Sequence, residues 1–445
     1  MKLKVLFLPN ARLTFSQPDA EAKMTGSREL LARVFGEVIA PEGLLTSPEM
    51  VGEEADRQVA PPDLVVYQTT TFIGADFMAE ITRRFDCPIV VWSVREPSID
   101  GGRLKLNSLT GAFSAANILL NQRRGFEFVF GDPDEKSVIT KFTAICKARS
   151  LVESMRRLTI GMVGSQPAGF AFGAIDDALL GSKFGIRVLQ TEAADIMRDA
   201  AGMAPEAYEG VLKEFTDRTR GWDKTPAENL DKYARLRKAY QNFIDNNKIG
   251  AIASRCWPDF FTGFGAPVCG VLSMLNDNGI PSSCEADLGG VVSMVMGREL
   301  TDSAVYFGDP VAVDESCDGI VFWHCGAGAS CLARKSEGAG VGVHPNRKIG
   351  PTMEMGLKAG EVTVLRLGKT ADGFRIFAMR GQALDEPQKF WGTSVTVRPA
   401  GGGAAAKVAE MVGDGWEPHF IVAYGDIMEE LRLVSTWLDI ELWEY

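Results

Sequence analysis

The sequence predicts an α/β protein with two doubly wound parallel-sheet domains followed by a mostly antiparallel β-domain. Three observations predict it. Short β-rich runs alternate with helix-length segments through the first third of the chain, and the alternation restarts after residue 156. From about residue 346 the strands mostly follow one another directly, with one or two helices among them. A chain of 445 residues is too long for one core. At roughly 100–200 residues per domain it holds about three.

The elements follow in order. The opening "MKLKVLFLPNARL" reads as a first strand. Its apolar run is short, polar Asn10 and Arg12 follow it, and it carries no small-residue cleavage site, so it is not expected to be a signal peptide. "DLVVYQTT", "PIVVWSV" and "FEFVFGD" are further strands, separated by helical segments such as 75–85 and 134–156. Continuous apolar strands with helices between them imply a parallel sheet covered on both faces. This defines a first domain, 1–156. The second, 157–345, opens at "RLTIGMVGSQPAGF" and continues through "IRVLQTE", a polar helical stretch at 205–247, "IGAIASRC", "SSCEADL", "AVYFGDP" and "GIVFWHCG". In the third, 346–445, "EVTVLRLGKTADGFRIFAMRGQAL" is two strands joined through "TADG", a hairpin signal. "GTSVTVRP", "HFIVAYGD" and "DIELWEY" add strands, and "RPAGGGAAAKVAE" turns into a helix.

A net charge of −11 argues against nucleic acid as the partner, because phosphate backbones call for basic patches. It also speaks against an anionic membrane surface, and no run approaches the roughly 20 apolar residues of a spanning helix. The eight cysteines form no CxxC pair and read as free thiols in a reducing cytoplasm. "MVGSQPAGF" lacks the GxGxxG spacing of a dinucleotide site.

The stretch "GIPSSCEADLGGVV" (279–292) places Glu285 and Asp287 in a small, apolar run, where an unpaired charge costs several kcal/mol. In open α/β sheets ligands bind beyond the carboxyl ends of the strands. Glu285 and Asp287, Asp309 in "AVYFGDP", His324 in "GIVFWHCG" and Asp259 after "AIASRCWPD" all fall at such ends. Carboxylate plus imidazole suits a hard divalent cation. Asp309 before Pro310 also suits the start of a turn, and His324 beside Trp323 also suits a core histidine. "HCGAGASC" (324–331) offers either a backbone nest for an oxygen-rich ligand or a sharp turn. "GVHPNRKIGP" (342–351) is either a basic linker or a substrate clamp through Arg347 or Lys348.

Four stretches together resemble the L-fucose isomerase/L-arabinose isomerase superfamily, particularly its shorter fucose-isomerase-like members. They are "RCWPDFFTGFGAPVCGVLSMLNDNGIPSSCEADLGGVVSMVM" (255–296), "YFGDP" with "FWHCGAGASC", "KAGEVTVLRLGK" (358–369) and "EPHFIVAYGDIMEELRLVSTWLDIELWEY" (417–445). The resemblance spans 157–445. It implies two Rossmann-like domains and a C-terminal β-barrel-like domain. It further implies a Mn²⁺-dependent aldose–ketose isomerase (Mg²⁺ or Co²⁺ being alternatives), assembled as a homo-trimer or hexamer with sites between subunits.

Carried over by residue, His419 matches the C-terminal metal ligand, and Glu285, ahead of Asp287, matches the central one. The family's second glutamate falls here on Val268 or Cys269. Asp259, Asp287, Asp309 and His324 are the candidates to replace it.

Under this reading Glu285 and His419 hold the metal and Asp309 joins them. Asp287 is the leading proton shuttle, because i and i+2 share a face of a regular strand. His324 orients a substrate hydroxyl or completes the coordination. The substrate is a sugar. Arg95, Arg347 and Trp257 are the substrate-binding candidates, with Arg103 and Lys348 beside the two arginines. Two of these cations in one pocket would favour a sulfo- or phosphosugar; a deoxy sugar is the other candidate. The competing reading is a non-catalytic sugar-binding or regulatory protein on the same fold.

Overall fold

The structure, a computed structural model, describes residues 3–371 and 373–445. It divides into two compact units, Met1–Glu153 and Ser154–Tyr445.

In the first unit β1 (Val5–Asn10), β2 (Val38–Ile39), β3 (Leu64–Thr69), β4 (Ile89–Ser93) and β5 (Glu127–Phe130) form one parallel sheet in the order β2-β1-β3-β4-β5. The runs "VLFLPN", "LVVYQT" and "IVVWS" have no polar face, and all three strands are buried along their whole length. Helices α1 (Gln17–Phe35), α2 (Pro48–Asp56), α3 (Ala75–Thr82) and α4 (Ser108–Asn121) make the crossovers, and α5 (Lys136–Met155) follows β5. Leu6, Val65 and Val91 pack with Phe77, Ile81 and Leu119 in this unit's core.

The second unit opens with a four-stranded parallel sheet, ordered β7-β6-β8-β9. Its strands are β6 (Thr159–Val163), β7 (Arg187–Thr191), β8 (Ala251–Ser254) and β9 (Ser282–Cys284). Between them run α6 (Asp177–Phe184), α7 (Ala193–Ala201), α8 (Glu209–Arg218), α9 (Ala227–Asn247) and α10 (Cys269–Asp277). Helix α11 (Leu288–Thr301) leaves the end of β9 and leads to the remaining strands.

Those strands are β10 (Tyr306–Asp314), β11 (Gly319–His324), β12 (Val341–Gly342), β13 (Thr352–Met353), β14 (Met355–Gly356), β15 (Gly360–Lys369), β16 (Phe374–Ala383), β17 (Thr393–Pro399), β18 (Phe420–Tyr424) and β19 (Glu441–Glu444). Helix α12 (Ala404–Gly413) precedes β18 and α13 (Met428–Leu438) follows it. β12 and β13 pair as a separate two-stranded sheet. The other eight form a mixed sheet, β14-β17-β11-β10-β18-β15-β16-β19, in which β16 also pairs back onto β17. Six strands therefore form a closed circuit of pairings. β15 and β16 make the expected hairpin, with Lys369 opposite Phe374. Asp372 of its "TADG" connection lies outside the described residues.

One expectation needs correction. "AVYFGDP" and "GIVFWHCG" do not extend the parallel sheet. They are β10 and β11, antiparallel partners in the mixed sheet. Only the turn 315–318 separates them, too short for the crossover that parallel strands need.

Glycines at the start of α11 let the two parts of this unit approach. A Cβ on Gly290 would lie 2.5 Å from the Phe307 ring of β10, and one on Gly289 would lie 2.9 Å from Arg366 of β15. Gly290→Ala is expected to destabilise the fold by about 1–3 kcal/mol through overpacking, read as a lowered urea midpoint at unchanged slope. Among the described residues no helix is long and apolar enough to cross a membrane.

Candidate active site

Sheet register assembles the site. Gly308 of β10 pairs with Phe420 of β18, so the next residues along, Asp309 and His419, are neighbours. Asp309 pairs with Trp323 on β11, and His324 follows it. Glu285 arrives separately, just beyond the carboxyl end of β9.

The chain does not continue as strand past Cys284. Glu285 and Ala286 both have left-handed backbones, φ 59° and 52°. Such conformations cost of order 1–3 kcal/mol at a non-glycine residue and mark over-determined sites. The two-residue alternation is lost there, and Glu285 and Asp287 separate. Glu285 lines a cavity of about 440 Å³. Asp287 is fully buried and caps α11, accepting the Gly290 N–H at 2.8 Å.

Asp287 is spent on structure. Its oxygens receive Arg366 Nη1 at 2.6 Å and Nη2 at 3.0 Å, and Oδ2 also faces His419 Nδ1 at 2.8 Å. The proton-shuttle expectation for Asp287 therefore meets a carboxylate outside the cavity with its oxygens already engaged. Burial works against its charge, but Arg366 and His419 outweigh this and hold the carboxyl well below the usual range.

His419 links the two acids. Its Nε2 lies 3.0 Å from Glu285 Oε2 and 3.3 Å from Asp309 Oδ1. Phe307 and Phe172 pack on its ring at 4.5 and 5.1 Å between centroids. Burial disfavours the cation, but hydrogen bonds to Asp287 and Glu285 prevail and raise His419 to about 9. Burial also penalises the Glu285 carboxylate. The hydrogen bond to His419 and the nearby His324 reverse this and lower it, helped by Trp257 Nε1, which donates to Oε1 at 3.1 Å. Asp309 goes the other way, with burial raising it against the pull of His419 and His324. His324 is pushed down by burial.

Ligand atoms of Glu285, His324 and His419 all lie within 4.8 Å of one another. His324 Nδ1 is buried without a hydrogen-bond partner. A carboxylate with two imidazoles, one of them carrying an orphaned nitrogen, fits a divalent ion such as Mn²⁺. Val268 and Cys269, where the resemblance misses a glutamate, begin α10 and are buried. His324 is the third ligand-type side chain of this cluster. Of the other candidates, Asp309 lines the cavity, and Asp259 pairs with Arg255.

Trp257 and Arg347 also line the cavity. Arg95 does not: it belongs to the first unit, in a two-point pair with Glu135 at 2.6 and 2.8 Å. Arg103 there donates to the Thr14 carbonyl, and Lys348 lies over the Trp391 ring at 4.2 Å. Sequence reasoning missed Phe172, His344, Asn346 and Arg366. The signal for Arg366 was a charge within the apolar strand "EVTVLRLGK".

No family model matches the chain. Over its full length it is similar to curated enzymes. It is 44% identical over 442 residues to a sulfoquinovose isomerase of Clostridium sp. (strain MSTE9), covering 98% of each chain. It is 40% identical over 439 residues to one of Priestia aryabhattai, again covering 98% of each. With one of Alkalicoccus urumqiensis it shares 37% identity over 446 residues and 99% of each chain. Identity at this level, end to end, shows that the chain is an isomerase and belongs to the sulfoquinovose isomerase family.

Proposed function

We propose that this isomerase interconverts the aldose sulfoquinovose with its ketose, using a divalent ion held by Glu285, His324 and His419. The observation that carries the reading is the gathering of those three donors on one wall of the cavity. The relatives' names supply the sugar. They also weigh against the competing reading of a non-catalytic sugar-binding protein.

Aldose–ketose exchange moves a proton between C1 and C2 through a cis-enediol. A divalent ion such as Mn²⁺, held by Glu285, His324 and His419, would supply the Lewis acidity that polarises the carbonyl. Asp287 fixes the imidazole of His419 by accepting from Nδ1–H, which leaves Nε2 for the ion, the usual carboxylate–histidine arrangement around a metal. Trp257 holds one Glu285 oxygen and so sets which way the other points.

Proton transfer falls to Asp309. It opens to the cavity, with 29% of its side chain exposed, and lies outside the three-donor cluster. A carboxylate free of the ion is what the shuttle requires. Phe172 and Phe307 shield the ring of His419 from water.

Asp309→Asn is expected to lower kcat by about 10²–10⁴-fold while Mn²⁺ is still bound. Wild-type turnover in that variant would remove Asp309 from the mechanism.

The same reading carries the fucose-isomerase likeness further. The six-strand circuit supports a barrel-like third domain after two Rossmann-like ones, 1–156 and 157–345. β10 and β11 are reassigned to the barrel. A homo-trimer or hexamer with sites between subunits belongs to this proposal. Eight unpaired cysteines support a reducing cytoplasm.

A further inference from the structure

We propose that the loop His344–Arg347 seats the sulfonate of the substrate, with Arg347 as its charged contact and Trp257 as the spacer that sets its distance from the reacting carbons. The inference rests on the isomerase reading of this cavity.

Among the described residues Arg347 is a cation without a counter-ion. The chain carries 58 acidic against 47 basic residues, and Arg255 and Arg366 nearby are both consumed by aspartates. The Arg347 guanidinium has neither an ion-pair nor a hydrogen-bond partner among the described residues. It is held instead by ring faces, with its Cζ 5.1 Å from the centroids of both Trp257 and Phe261. That arrangement fixes the group and leaves its planar fork of N–H donors unused, as a multi-oxygen anion requires.

The loop is shaped from within. His344 Nδ1 accepts the backbone N–H groups of Asn346 and Arg347 at 3.3 and 3.4 Å. In the neutral ring the proton therefore sits on Nε2. Burial pushes His344 down, toward that neutral form. His344 and Asn346 both line the cavity and bring polar groups beside Arg347.

Trp257 ties this seat to the reacting end. Its N–H holds Glu285 while its face carries Arg347. One indole thus separates the anion seat from the acids. A hexose with C1 and C2 at Glu285 and Asp309 projects its C6 substituent past that ring, toward Arg347. Reversed entry would set the sulfonate against two carboxylates, a like-charge contact that disfavours it. The charge layout therefore selects both an anionic C6 group and one binding direction.

The test compares sulfoquinovose with 6-deoxyglucose, which lacks only the sulfonate, in wild type, Arg347→Met and Arg347→Lys. Methionine keeps an apolar stem against Trp257 and removes the charge. In Arg347→Met, kcat/KM on sulfoquinovose is expected to fall by about 100-fold or more, mostly through KM, with 6-deoxyglucose changed by less than about threefold. Arg347→Lys should fall between, since an ammonium lacks the fork. Equal effects on both sugars, or none on either, would overturn the seat.

If wild type turns over neither sugar, the sulfoquinovose isomerase reading of this cavity fails, and calorimetric binding of sulfoquinovose decides the seat alone. Binding by wild type that Arg347→Met loses supports it. Equal affinity in the two, or no binding by wild type, refutes it.

Discussion

Arg366→Met is expected to lower the unfolding free energy by about 3–5 kcal/mol, because it takes the guanidinium from the buried Asp287 carboxylate and leaves that charge to His419 and the Gly290 N–H alone. For a unit of this size that is a fall of roughly 10 °C in Tm. The side chains of the pair are 1% and 0% exposed, so water cannot take over. Arg366→Met/Asp287→Asn should recover part of the loss, since the asparagine is neutral. Differential scanning calorimetry of the three proteins checks both statements. The sign with pH follows from the lowered Asp287 carboxyl. The pair's contribution is complete above the ordinary value of 3.8 and is lost as pH falls through the lower folded value. Arg366→Met should therefore have a flatter acid limb than wild type. A near-neutral effect of Arg366→Met would show that Asp287 is not held as described.

His419→Ala is expected to reduce turnover by about 10³-fold or more, since a Lewis acid supplies several kcal/mol of transition-state stabilisation and each 1.36 kcal/mol is tenfold. His419 stands at the centre of the site, within 3.3 Å of three carboxylates. The Arg366–Asp287 pair does not depend on it, so the variant should fold, with a Tm lowered by the loss of the buried ring and its hydrogen bonds to Asp287 and Glu285. Added imidazole should restore part of the rate by replacing the lost nitrogen. Turnover within tenfold of wild type would mean that His419 is only a packing residue.

The parallel sheets were legible because continuous apolar runs separated by helix-length segments have few other solutions. β10 and β11 were placed in the wrong sheet because a short apolar strand reads alike in either. Their connection, "ESCD" (315–318), was the signal against a crossover. Glu285 stood out as an acid among small apolar residues. Asp287 stood out equally, but its role depends on two left-handed residues, neither of them glycine, which periodicity does not reveal. His419 entered by resemblance, and the scarcity of histidines helped. The gathering of His324 with His419 depends on sheet register across some 95 residues, and Glu285 joins them from the end of another sheet, beyond the reach of local pattern. Arg366 was visible in its strand, but its partner 79 residues away was not.

The central claim is that Glu285, His324 and His419 hold one catalytic divalent ion. The most direct test is to titrate chelator-stripped protein with Mn²⁺, following bound metal and ketose formation from sulfoquinovose in the same samples. The account predicts about one ion per chain, with activity rising in proportion to occupancy, and neither in Glu285→Gln. Full turnover in the stripped protein, or Mn²⁺ bound equally well by Glu285→Gln, would contradict it.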